Sequence, residues 1–300
     1  MGAAGAVEGV VEVLPVVEHG DDRAAGGDLT APQLRLLRVR PSRASGVIAA
    51  TRGRGRVRSW QAVRVAFLLP IATSGDERVR AARTAVLPVG SFEQHGEFMP
   101  LITDTVVACL VAGRVAEDYP VFLLPPLTIS CSHEHAGFAG TVSISARTLL
   151  AVIEDVDESL RASGVDNLVI VNGHGGNYSL RNAVQEATTV RRRMALFPAA
   201  EDWNTARVEA GCETTSHEDM HGGELEVSLL LHGAPQLLRE GYQAADHLAD
   251  DRPDLLTVGM RAYTSSGIIG RPSLGSADKG AAVLNSLSRS FARVHELLEG

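Results

Sequence analysis

From Thr84 onward, short apolar runs alternate with longer segments whose apolar residues recur at helical spacing, and that alternation leaves few architectures open. "TAVLPVG" from Thr84, "VFLLPPL" from Val121, "NLVIVNG" from Asn167 and "MALFPAA" from Met194 read as buried strands. Between them, "DTVVACLVAGRVAEDY" reads as a helix with Thr103 or Asp104 at its N-cap. "ARTLLAVIEDVDESLRASG" reads as a helix closed by Gly164, and "NYSLRNAVQEATTVRRR" as one capped by Asn177. "GELEVSLLLHG" is expected to be a short helix and "ADKGAAVLNSLSRSFARVHELLEG" a terminal one. Strand and helix in alternation predict an α/β fold with a mainly parallel sheet and helices on both faces. Ligands of such sheets gather beyond the carboxyl ends of the strands.

Residues 1–83 lack this regularity. They are rich in Gly, Ala, Ser and Pro and carry thirteen arginines against eight acids. They read as a disordered or weakly ordered extension, with 84–300 as the folded domain. The folded part holds the excess acid of a chain whose net charge is −8, so no nucleic-acid partner is expected. An apolar content of 45% suffices for a large core, and no run of eighteen uncharged apolar residues suggests a membrane span. Cys109, Cys131 and Cys212 are odd in number and form no CxxC pair. That argues against a disulfide framework and predicts a cytoplasmic protein.

Three polar clusters follow strand ends or enter a helix. The first is Glu93, Gln94, His95 and Asp104; the second is "VNGHGGN", Val171 to Asn177; the third is "EDMHGGELEVS", Glu218 to Ser228. Taken alone, a histidine among glycines is more often a turn residue than a ligand, and "GHGGN" lacks both GxGxxG spacing and a Walker lysine. Taken together, His95 and His174 offer imidazoles, and Glu93, Asp104 and Glu226 offer carboxylates. Such donors suit zinc, manganese or iron, and a carboxylate such as Asp104 can bridge two cations. The chain has no GxSxG elbow, which weakens a serine-hydrolase reading.

"PVGSFEQHG" followed by "PLITD", then "NGHGGN", then "HGGELEVS", resembles the creatininase (creatinine amidohydrolase) family over about Thr84 to Leu298. The resemblance implies a three-layer α/β/α sandwich, a homo-oligomer that can be a hexamer, and two divalent metal ions per chain. It implies hydrolysis of an amide-type C–N bond in a small, cyclic or short peptide-derived substrate by a metal-activated water. Residue by residue, it implies Glu93, His95, Asp104, His174 and Glu226 as metal ligands, with Asp104 as the bridge. Glu226 and His221 then stand at the reaction, His221 moving the proton, and Ser132 and His135 sit on the substrate side. For His135 a plain hydrogen bond to the turn before Gly140 is an equal alternative.

Departures from the family pattern narrow the reading. Creatinine hydrolases follow the metal-binding histidine with Tyr and Glu, where this chain has Gly175 and Gly176. They also place a tryptophan where this chain has His217, so Trp203 would have to supply any aromatic clamp. The "GHGGN" branch includes formamide deformylases and a peptidase that trims the mycofactocin precursor peptide. That peptidase is the alternative to a hydrolase of non-peptide or cyclic amides; a non-catalytic, metal-binding family member is the other.

Overall fold

The computed structural model describes residues 69–190 and 192–300. Residues 1–68 of the expected N-terminal extension lie outside the described residues. Its last part is not irregular: α1 (Ser74–Arg80) is held by a reciprocal cap, in which Thr73 Oγ1 accepts from Asp76 N and the Asp76 carboxylate accepts from Thr73 N. No residue of α1 is buried, so the helix leaves no apolar stripe in the sequence to announce it.

The chain continues through β1 (Thr84–Val89), α2 (Thr103–Asp118), β2 (Phe122–Leu123), α3 (Ala146–Ala162), β3 (Asn167–Asn172), α4 (Leu180–Thr189), β4 (Arg193–Phe197), α5 (Ala200–Glu209), α6 (Glu224–Gly233), the single-turn α7 (Leu255–Val258) and α8 (Ala277–Glu299). The four strands form one parallel sheet in the order β2-β1-β3-β4. Side chains alternate between its faces. Val86, Val169, Val171 and Phe197 pack on one side with residues of α2, α6 and α8, among them Val107, Leu230 and Phe291. Ala85, Leu87, Val89, Leu168 and Ile170 pack on the other with Leu149, Ile153 and Leu160 of α3 and Leu180 of α4. This is the three-layer α/β/α sandwich. Central strands covered on both faces explain why β1 and β3 read as unbroken apolar runs.

Three local readings change. β2 pairs over two residues, because Pro125 and Pro126 lack the N–H a ladder needs; pairing resumes only where Leu127 N donates to Pro88 O. Thr103 is the first residue of α2 and no cap, its hydroxyl donating to Pro100 O at 2.6 Å. Asn177 does not cap α4 either. Its side chain ties three loops together, accepting from Cys131 N and donating to Gly90 O and Asn172 Oδ1. Helix α5 was not expected from the sequence, since it buries only Asp202, Ala206 and Arg207.

From β1 the chain crosses to β2 on one side and to β3 on the other, so the loops after β1 and β3 part at the switch point between them. The first turn of α2 sits directly on that point. A Cβ at Gly90 would lie 2.3 Å from the Thr105 backbone, and one at Gly173 would lie 2.3 Å from Asp104 O. Only glycine at both positions lets α2 come this close.

Candidate metal centre

Asp104 is the second residue of α2, so the approach permitted by Gly90 and Gly173 carries its carboxylate to the ends of β1 and β3. Ser91 Oγ donates to Asp104 Oδ2 at 2.6 Å and fixes the group. Asp104 Oδ1 then lies 3.1 Å from His95 Nε2, and Oδ2 lies 3.0 Å from His174 Nδ1. One carboxylate thus stands between two imidazoles from two loops, the geometry a bridging ligand requires. Glu226, from the first turn of α6, reaches His95 Nε2 at 3.6 Å, and Glu93 Oε2 reaches His174 Nε2 at 3.2 Å.

Neighbouring carbonyls orient the rings. His95 Nδ1–H donates to Glu93 O at 3.1 Å, which leaves Nε2 facing Asp104 and Glu226. His174 Nε2–H donates to Cys131 O at 2.9 Å, which leaves Nδ1 facing Asp104. His221 Nε2–H donates to Gln94 O at 2.7 Å, so its Nδ1 turns toward Glu93 Oε1, 3.7 Å away. Lone pairs of imidazoles therefore point at carboxylates, an arrangement that calls for a cation between them.

The electrostatics carry the same message. Burial opposes charge on His95, yet Asp104 and Glu226 raise it well above its usual value; Glu93 and Asp104 do the same for His174. Burial would push the Asp104 carboxyl up, but His95 and His174 hold it well below the carboxylate range. Glu226 is likewise lowered by His95 against the effect of burial. Both oxygens of Glu93 are fully buried and have no hydrogen-bond partner. An unpaired buried carboxylate is costly unless a cation meets it. Three donor groups among the described residues are compact enough to hold an ion: Glu93, Asp104 and His174; His95, His221 and Glu226; and Glu93, His135 and His221. The donor set fits divalent metal.

All five sequence-assigned ligands meet here, and His221 joins them, its ring 4.2 Å from that of His95. Burial together with His95 lowers its pKa, as burial and neighbouring imidazoles do for His135. His135 is drawn into the cluster, with Nε2 3.3 Å from Glu93 Oε1. Ser132 is buried, and its hydroxyl has no partner.

Two clefts share Tyr178, and only the first is lined by residues of the centre. The first, of about 620 Å³, is lined by His174, Tyr178, Trp203, Met220 and Glu226. The other, of about 680 Å³, is lined by Cys131, Glu134, Gly176, Tyr178 and Leu256. Ser132 and His135, assigned to the substrate side, line neither.

Sequence reasoning gave no role to Glu134 or to the amide of Gln94. Burial pushes the Glu134 carboxyl up, and its Oε1 lies 3.7 Å from His174 Nε2. A Cβ at Gly176 would meet Glu134 Oε1 at 2.0 Å and His174 Nε2 at 2.4 Å. A side chain in place of the glycine that departs from creatinine hydrolases would thus have to displace the Glu134 carboxylate and press on the His174 ring. Glu224, by contrast, is turned away from the centre as its helical spacing implies: it accepts from Thr214 N at 2.9 Å and pairs with Lys279.

A three-layer α/β sandwich with this cluster at its switch point has the makings of a metal-dependent hydrolase. The sequence profile of the creatininase family, described as creatinine amidohydrolase, matches residues 73–295. A mycofactocin precursor peptide peptidase of Mycobacterium ulcerans is 33% identical over 234 residues, 73% of this chain and 88% of the relative. A creatinine amidohydrolase of Pseudomonas putida is 27% identical over 228 residues, 69% of this chain and 86% of the relative. The solved structure of a manganese creatininase superposes with a TM-score of 0.65 at 24% identity, covering 77% of this chain and 98% of that one, and shares the fold. The chain belongs to the creatininase family. The match begins at residue 73, so the family region includes α1 and starts before Thr84.

Proposed function

We propose that this chain is a metal-dependent amidohydrolase that cleaves an amide-type C–N bond in a peptide-derived substrate, of the mycofactocin-precursor kind. The observation that carries the hydrolase reading is Asp104 set between His95 and His174 beside Glu93, whose buried oxygens make no hydrogen bond. Glu93, Asp104 and His174 would hold one divalent cation, and His95, Asp104 and Glu226 a second; zinc, manganese and iron all suit these donors. Cations held there supply Lewis-acid polarisation of an amide carbonyl and activation of water. Asp104 stays ionised at neutral pH and keeps both imidazoles turned inward. His221, with Nδ1 free and facing the centre, takes a proton and delivers it to the leaving nitrogen.

Two features support the choice of a peptide-derived substrate. The peptidase of Mycobacterium ulcerans shares 33% identity, against 27% for the creatinine hydrolase of Pseudomonas putida. The first cleft, lined by His174 and Glu226, and the second, which shares Tyr178 with it, also offer together more room than a small cyclic amide needs. A second reading, a flat cyclic amide, is favoured by Trp203, which lines the first cleft and offers an aromatic face. We read the protein as cytoplasmic, in keeping with three free cysteines, and as a homo-oligomer. No helix among the described residues is long and apolar enough to cross a membrane.

The test is mass-spectrometric. The chain, loaded in turn with Zn²⁺, Mn²⁺ and Fe²⁺, is offered a mycofactocin-type precursor peptide, formamides and creatinine. Cleavage of the peptide alone supports the proposal. Turnover of creatinine alone favours the second reading, and no turnover of any amide refutes both.

A further inference from the structure

Gln94 lies between two proposed ligands in the sequence, and its side chain hydrogen-bonds to neither. It is buried, and all its polar atoms are used. Its amide nitrogen donates to His135 Nδ1 at 2.9 Å and to Gly267 O at 3.0 Å, which uses both its hydrogens, so its 3.2 Å approach to His221 Nε2 is a contact and not a third hydrogen bond; its Oε1 accepts from Gly96 N at 2.9 Å. Its backbone carbonyl accepts from His221 Nε2 at 2.7 Å. The loop beyond is shaped to admit it. Gly267 has φ +88°, and a Cβ there would lie 1.7 Å from Gln94 Oε1.

An amide nitrogen is a donor only, so His135 Nδ1 accepts and the proton of the neutral ring sits on Nε2. That N–H faces Glu93 Oε1 at 3.3 Å. The carbonyl of the same residue makes the opposite assignment for His221, whose proton is drawn outward to Nε2 while Nδ1 keeps its lone pair toward the centre. The rings stand 4.4 Å apart. One residue thus gives two adjacent histidines opposite faces toward Glu93: a donor from His135 and an acceptor from His221.

We infer that Gln94 is a positioning residue that fixes the tautomer of His135 through its side chain and that of His221 through its backbone carbonyl. The inference rests on the amidohydrolase reading only for its consequence in turnover; the tautomers themselves are read without it. Residues that orient imidazoles from behind cost about 10–100-fold in activity or metal affinity when removed.

The test is long-range ¹H–¹⁵N NMR of the full chain, metal-free, at a pH where both rings are neutral. In the wild type His135 is expected as Nε2–H and His221 as Nε2–H. Gln94→Leu removes the donor at His135 Nδ1, so the nitrogen shifts of His135 move toward a tautomer mixture, while His221, held by the backbone carbonyl, keeps the Nε2–H pattern. Gln94→Glu replaces the donor with an acceptor and brings a proton onto His135 Nδ1. Circular dichroism checks that both variants are folded. In the metal-loaded protein kcat/KM falls about 10-fold or more for each. A wild-type His135 protonated on Nδ1, or a His135 pattern unchanged in both variants, overturns the inference. If the tautomers behave as stated but no amide is hydrolysed, the functional reading fails and the positioning role stands.

Discussion

Glu93 Oε2 and His174 Nε2, brought by the loops after β1 and β3, face each other at 3.2 Å, and both side chains are buried. The neighbouring Asp104 makes the same approach to two imidazoles at once. Negative charge at this density is stable only with positive charge among it, whether protons on the rings or metal ions in their place.

Asp104 touches both halves of the centre, so its loss should empty both. On the proposed two-ion reading, Asp104→Ala is expected to bring bound metal from about two equivalents to nearly none and to lower activity about 100-fold or more. Elemental analysis after dialysis measures this. A variant that keeps one full equivalent would show that Asp104 serves a single ion.

His221→Ala tests whether the proton-transfer role proposed for His221 is separate from metal binding. The expected result is wild-type metal content with kcat lowered about 10²–10⁴-fold. Because His221 also forms a compact donor group with His95 and Glu226, loss of one equivalent of metal would reassign it as a ligand.

The raised pKa values of His95 and His174 give the metal-free protein a definite pH response. Their contribution to stability is fully present below the unfolded imidazole value of about 6.5 and is lost as pH rises through the higher folded values. Asp104, held low, contributes above the unfolded carboxylate value of about 3.9 and ceases to contribute as pH falls through its folded value. The melting temperature of the metal-free chain should therefore decline on the alkaline side. Zn²⁺ should abolish that decline, because the metal takes over from the protons. Titration in two buffers of different ionisation enthalpy should also show proton release on metal binding.

Gly90 and Gly113 lie on either side of the same packing problem. Gly90→Ala drives a methyl into the Thr105 backbone and should cost about 2–3 kcal/mol and loosen metal binding. Gly113, within α2, has nothing within 4 Å of its Cβ position, and Gly113→Ala should stabilise by about 0.5–1 kcal/mol. Denaturant melts of both variants check the pair; equal effects would refute the close-approach argument.

What could be read in the sequence was whatever is local and unambiguous. β1 and β3 are apolar throughout because both their faces are covered, and Gly164 closes α3 because its φ of +88° suits glycine. Glu93, His95, Asp104, His174 and Glu226 were visible as chemistry placed after strands or at helix starts. Less legible was anything whose partner lies far along the chain. Asn177 has the chemistry of a helix cap and of a loop tie alike, and only the nearness of Gly90 and Cys131 decides between them. Gln94 shows its purpose only once the loop at Gly267 is folded against it. Helix α5 escaped notice because it presents little apolar surface, its start being set by Asp202 accepting from Ala199 N.

Tyr178 borders both clefts, and only the first of them is lined by the cluster residues His174 and Glu226. If the substrate is the peptide proposed above, a segment reaching from the first cleft into the second would have to pass over this one side chain.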